Sequence, residues 1–211
     1  DCGDCLILPG MTDLHIHAPQ FAFRGLGMDL ELLEWLNTYT FPEEAKYAEL
    51  DYADRAYTSF AEHLKRSTTT RAAVFATIHL PATRLLMEKL EASGLVTYVG
   101  KVNMNRNCPP YLRELSTNHS LRDTERWILD TKDAFRRTKP ILTPRFIPSC
   151  TDDLMFGLAR LRERYDLPVQ SHLSENYSEI DWIRELCPKS KFYGDAYDQF
   201  GLFGGGYPCI M

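Results

Sequence analysis

The chain alternates five times between a short apolar run of β-forming residues and a segment whose apolar residues recur at helical spacing. The links between these segments are short. Two strands in sequence lie parallel only if the chain crosses back between them, so strict alternation predicts βαβ units and a parallel sheet.

The strand-like runs are "LILPGMTDLHIHA", "TTTRAAVFATIH", "LVTYVGKVNM", "KPILTPRF" and "LPVQSHLSE", the first interrupted by Pro9 and Gly10 and expected to be buried. A helical stretch is expected at Leu30 to Tyr39, closed by a turn at Phe41 and Pro42. From Tyr52 to Lys65, Ala53, Ala56, Tyr57, Phe60, Ala61 and Leu64 mark one face of a helix. Pro81 opens the next helix, which runs through Glu91 and is stopped by Gly94. Ser120, with Asp123 and Thr124 behind it, is expected to start a helix that runs to Phe135. Thr151, Asp152 and Asp153 begin one that ends at Tyr165, and Glu179 to Leu186 forms the last.

An open doubly wound sheet and a (β/α)8 barrel both satisfy this order. No glycine-rich phosphate loop follows any strand, which favours the barrel. A whole barrel needs ~250 residues. The expected fold class is therefore α/β: a partial (β/α)8 barrel of about five strand-helix units, with residues 1–211 a single incomplete domain. The chain opens on Asp1 and stops at "GYPCIM", where a new apolar run begins, so it reads as a piece of a longer protein.

A net charge of −5 and a pI near 5.7, with no basic run interleaved with aromatics, argue against nucleic acid as a partner. Every apolar run is shorter than the ~18 residues of a membrane helix, so no membrane association is expected and the location is read as cytoplasmic. Six scattered cysteines do not make a disulfide scaffold. The C-x-x-C at Cys2 and Cys5 has no second pair to complete a zinc ribbon and reads as loop thiols.

In "MTDLHIHAPQ", His15 and His17 lie at i and i+2, so on a strand both point to one face. Two hydrogen-bonded histidines at a strand end would give the same pattern. His172 changes the balance. It stands at the C-terminal end of another strand, the end where barrel enzymes build their sites, and Glu175 follows three residues later. Three imidazoles from two strands beside an unclaimed carboxylate make a catalytic zinc pattern. His79 ends the second strand on the same side, yet a lone histidine there is more often a satisfied core group. His63, on a helix face, and His119, in a loop, read as solvated, and the Trp35 region reads as packing near the pocket.

Taken together, "PGMTDLHIHAPQFAFRGL", "LLEWL", "FATIH", "VGKVNMNRN", "LTPRFIPSC" and "LPVQSHLSEN" resemble the guanine deaminases of the amidohydrolase superfamily, in order, over nearly all of residues 6 to 203. The resemblance implies one zinc ion per subunit on His15, His17 and His172, with Glu175 as proton shuttle and Gln20, Arg145 and Phe146 as purine contacts. It implies hydrolysis of guanine to xanthine and ammonia, and a homodimer for the full-length protein. A related amidohydrolase acting on cytosine or a triazine, or a metal-binding scaffold without turnover, would share the same ligands.

Two departures from the family pattern stand out: "RSTTT" carries Ser67 where the family has glycine, and "MNRN" carries Asn105 where it has aspartate. No lysine ends the fourth strand, which argues against a bridged two-metal site. The resemblance further implies a histidine and an aspartate from later strands, beyond Met211. The piece alone is accordingly expected to be inactive, with open sheet edges that favour poor stability or association.

Overall fold

A computed structural model, in which residues 2–204, 206 and 208–211 are described, realises the alternation as a wall of parallel strands backed by helices. The strand β1 (Met11–His17) leads through a 3-10 turn (Pro19–Phe23) and the helices α1 (Leu32–Trp35) and α2 (Phe41–Ala45) to α3 (Leu50–Arg66). Next come β2 (Thr69–Phe75), α4 (Leu80–Ser93), β3 (Val96–Gly100), β4 (Val102–Asn103) and α5 (Thr117–Thr131). They are followed by β5 (Thr138–Pro140), β6 (Thr143–Pro144), α6 (Asp152–Tyr165) and β7 (Val169–Gln170). The helices α7 (Tyr177–Leu186) and α8 (Tyr193–Gln199) precede β8 (Cys209–Ile210).

Every strand pair is parallel, and β1, β2, β3 and β5 form one sheet in that order. The pair β4 and β6 carries the third and fourth strand positions onward after short steps. A bridge between Leu142 and Val169 joins the fourth position to β7, which pairs with β8. Among the described residues the wall thus has six adjacent strand positions in chain order, as expected of a barrel sector, one more than the sequence predicts.

Helix faces are buried where the periodicity places them. On α3, Ala53, Tyr57, Phe60, Ala61 and Leu64 are buried; on α4, Ala82, Leu86, Met87 and Leu90. Gly94 ends α4 at φ 84°, a left-handed conformation that favours glycine.

Several expectations are corrected. Leu6, Ile7 and Leu8 lie outside any strand and are 81%, 75% and 69% exposed. Among the described residues β1 is bonded only to β2, so nothing covers that apolar run. No turn occurs at Phe41 and Pro42. A π-helical turn (Leu36–Thr40) joins α1 to α2, and the Phe41 N–H reaches back five residues to the Leu36 carbonyl. Pro42 lacks an N–H and its ring crowds the carbonyl four residues earlier; the widened turn accommodates both. The helix expected from Ser120 starts at Thr117, where the Ser116 hydroxyl accepts from the His119 N–H at 3.2 Å. His119 is therefore in the first turn of α5 rather than in a loop.

Candidate active site

His15 and His17 project from the end of β1, and His172 lies two residues past the end of β7. Their ring centroids form a near-regular triangle, with His15 to His17 at 5.2 Å, His15 to His172 at 4.8 Å and His17 to His172 at 5.0 Å. One nitrogen of each ring lies within 4.8 Å of the others, and Nε2 of His17 is 2.9 Å from Nε2 of His172. Beneath them is Phe75 at the end of β2, fully buried, stacked on His17 at 4.3 Å and within 4.8 Å of His15 and 4.7 Å of His172.

Loss of surrounding water holds all three imidazoles below their ordinary pKa. His17 is pushed well down, with His172, Arg145 and His15 adding to the effect; His172 is pushed to about 3; His15 is lowered against the opposing pull of Asp13. The rings are thus neutral near pH 7 and their lone pairs are free to ligate. For His172 the tautomer follows from its partner: the Arg145 carbonyl only accepts, so Nδ1 donates to it, at 2.6 Å, and Nε2 keeps its lone pair towards His17. The Nδ1 of His17 is buried with no hydrogen-bond partner. Neutral nitrogens, one of them oriented by a carbonyl, form a donor set that suits a divalent ion such as zinc.

The carboxylate Glu175 reaches the site through a bend at Ser174, whose φ of 57° is uncommon for a non-glycine residue. Its backbone N–H donates to Glu179 Oε2 at 2.7 Å, and Asn176 caps α7 through the Glu179 N–H at 2.8 Å. Partial burial and then the neighbouring Glu179 charge raise the Glu175 pKa, with Arg145 opposing. Arg145, 2% exposed, follows β6 and donates from Nη1 to both carboxylate oxygens of Glu44, at 2.9 and 2.7 Å. Phe146 is buried beside Leu36, Phe41, Met104 and Leu112, and Gln20 is half-buried in the 3-10 turn.

All seven side chains singled out from the sequence line one cavity of about 770 Å³: His15, His17, Gln20, Arg145, Phe146, His172 and Glu175. That volume is ample for a small heterocycle.

The model of the amidohydrolase family matches residues 6–208. The chain belongs to the amidohydrolase family. It is similar to guanine deaminase of Mus musculus, 43% identical over 197 residues, covering 92% of this chain and 43% of the relative. It is also similar to guanine deaminase of Dictyostelium discoideum, 40% identical over 210 residues, covering 96% of this chain and 45% of that one. Among solved structures, guanine deaminase from C. acetobutylicum with guanine bound in its active site superposes with a TM-score of 0.92 at 54% identity, over 95% of this chain and 48% of that one. The chain therefore spans less than half the length of each of these relatives.

Both sequence departures of this amidohydrolase have a local role. Ser67 is extended, so no glycine is needed there; its hydroxyl donates to the Leu64 carbonyl at 2.7 Å and accepts from the Thr69 N–H at 3.0 Å. Asn105 clamps two helix starts: its Oδ1 accepts from the Thr151 N–H at 2.8 Å, and its Nδ2 donates to Thr151 and Thr117 hydroxyls at 2.9 and 3.1 Å. The Thr151 hydroxyl is thus engaged by Asn105 and Thr117 and makes no capping bond to α6. His79 lies away from the cavity of the histidine triad and lines another beside His119.

Sequence reasoning did not single out Phe75, Glu44 or Glu179. Phe75 sat in a run read only as a strand, although its position at the strand end was a usable signal. Nothing local in the sequence linked Glu44 to Arg145. Cys2 and Cys5 are exposed free thiols in a turn, consistent with loop cysteines.

Proposed function

We propose that the full-length protein hydrolyses guanine to xanthine and ammonia. The observation that carries this reading is the convergence of three neutral imidazoles, a carboxylate with a raised pKa and a buried arginine on one cavity. In this reading His15, His17 and His172 hold one zinc ion, which supplies Lewis acidity and brings the pKa of water towards 7. Glu175 takes a proton from water as oxygen adds to C2 and delivers it to ring N3. It then carries the remaining proton of the added hydroxyl to the amine as the C2–N bond breaks and the C2 carbonyl forms. Its raised pKa favours holding a proton between these transfers.

Among the described residues, the Arg145 side chain hydrogen-bonds through Nη1 alone. Nε and Nη2 remain as a planar fork for the acceptors of a 6-oxopurine edge. Gln20 offers an adjacent donor and acceptor, and Phe146 an apolar wall for the ring. The relatives' names support guanine over cytosine or a triazine as the substrate. A homodimer and a cytoplasmic location complete the proposal and rest on the sequence resemblance alone; among the described residues no helix is long and apolar enough to cross a membrane.

Ammonia release by the full-length protein from guanine, adenine and cytosine tests the substrate, and equal rates would end the guanine assignment. Glu175→Gln should abolish turnover while zinc content is retained; an unchanged rate would refute its role.

A further inference from the structure

We infer that Glu44 is a positioning residue that fixes the guanidinium of Arg145, and through it the 6-oxo edge of the purine; this rests on the function proposed above. Glu44 is 1% exposed and belongs to α2, a hundred residues from Arg145 in sequence. Both of its oxygens are spent on one nitrogen, Nη1, at 2.9 and 2.7 Å. This one-sided grip sets the rotation of the guanidinium plane and leaves the opposite edge, Nε and Nη2, without a protein acceptor among the described residues. Phe41, three residues earlier on the same helix, supports the plane from its face, with the guanidinium carbon 5.1 Å from the ring centroid. The main chain of Arg145 is fixed separately, by its N–H to the Asn103 carbonyl at 3.1 Å and its carbonyl to His172 at 2.6 Å.

Glu44 is therefore the anchor that governs the side chain without governing the backbone. Its own place depends on the π-helical turn, which resets the helix register just before Phe41. An unanchored guanidinium in a buried site would also lack a counter-charge, which makes a mobile arginine there costly.

The test uses the full-length, zinc-loaded protein. Glu44→Gln removes the charge and one of the two acceptors, and kcat/KM for guanine should fall roughly tenfold to hundredfold, as expected when a positioning contact is loosened. Inhibition by hypoxanthine, which has the 6-oxo group, should weaken by a similar factor, whereas inhibition by unsubstituted purine should not change. In an Arg145→Gln background the same substitution should cost less than about twofold, because its route of action is gone. Glu44→Asp keeps the charge but withdraws it by one methylene, and should show the same selectivity if Glu44→Gln fails to fold.

Equal weakening of both inhibitors, or an equal loss in both backgrounds, would show a merely structural role and overturn the inference. So would turnover that both Glu44 variants leave intact. Absence of guanine turnover in the unsubstituted protein would instead defeat the proposed function, and this inference with it.

Discussion

Gly100, the last residue of β3, has no room for a side chain. A β-carbon built there would lie 1.7 Å from the Thr143 hydroxyl and 2.7 Å from Gln170 Nε2. The Thr143 hydroxyl donates to the Ile141 carbonyl at 3.1 Å and accepts from Gln170 Nε2 at 3.0 Å, and Gln170 Nε2 also donates to the Val74 carbonyl at 3.1 Å. Gly100→Ala must therefore displace the threonine and break its two hydrogen bonds, each contributing about 1 kcal/mol. Overpacking costs about 1–3 kcal/mol more, and the stiffer unfolded chain returns roughly 0.4–1 kcal/mol. The net loss should be about 3 kcal/mol, or roughly 3 °C in Tm for a full-length protein about twice as long as this chain, since the entropy of unfolding grows by about 2.1 cal/mol/K per residue.

Thermal unfolding of the full-length protein, followed by circular dichroism, measures the loss. Adding Thr143→Ala removes the closest obstruction, so the double variant should be at least about 1 kcal/mol more stable than the sum of the single losses. A Tm within a degree of the parent, or strict additivity, would refute the packing argument.

Three further outcomes follow. His172→Ala should reduce zinc retention by more than the roughly 10–100-fold that loss of an outer-shell partner causes, read as metal content after dialysis against a chelator; unchanged zinc would remove the ion from this site. In the role proposed for it, Glu175 must be unprotonated to accept a proton, so activity should be lost as pH falls through its pKa. Since the Glu179 charge raises that pKa, Glu179→Gln should move the acid limb of kcat/KM to lower pH, and a shift the other way would contradict the coupling. Burial pushes the Cys150 thiol up to about 12, so Ellman's reagent at pH 8 should leave Cys150 unmodified until denaturation while the exposed Cys2 and Cys5 react, and rapid native labelling of Cys150 would refute this.

The triad and its cavity were legible because the relevant relations are short or periodic. His15 and His17 share a face by the two-residue repeat of a strand, and a strand-end position with a carboxylate three residues on was enough to place His172 and Glu175. Gln20, Arg145 and Phe146 came from family resemblance alone, and the structure brings them to the same cavity. The illegible parts depended on distant partners. Leu6 to Leu8 look like a buried strand, but burial is decided by what lies against them. The continuation of the helix through Pro42 needed a widened turn that no propensity scale encodes. Ser120 resembled a helix start because it is a good capping residue, yet its hydroxyl is committed inside the fold, donating to Glu114 at 2.6 Å and accepting from Asn103 at 2.8 Å. Glu114 also pairs with the buried Lys101, a tie between the step after β3 and the loop before α5 that the sequence does not announce.

The short contact between the Arg145 carbonyl and the imidazole of His172 has a mechanical consequence. Any drift of the β6 terminus carries the cation proposed to grip the heterocycle and the ring that would hold the ion as one body. Their spacing is thereby insulated from breathing of the wall around them. Truncating the arginine side chain should disable grip without disturbing coordination, whereas a distortion of that main-chain segment would damage both at once.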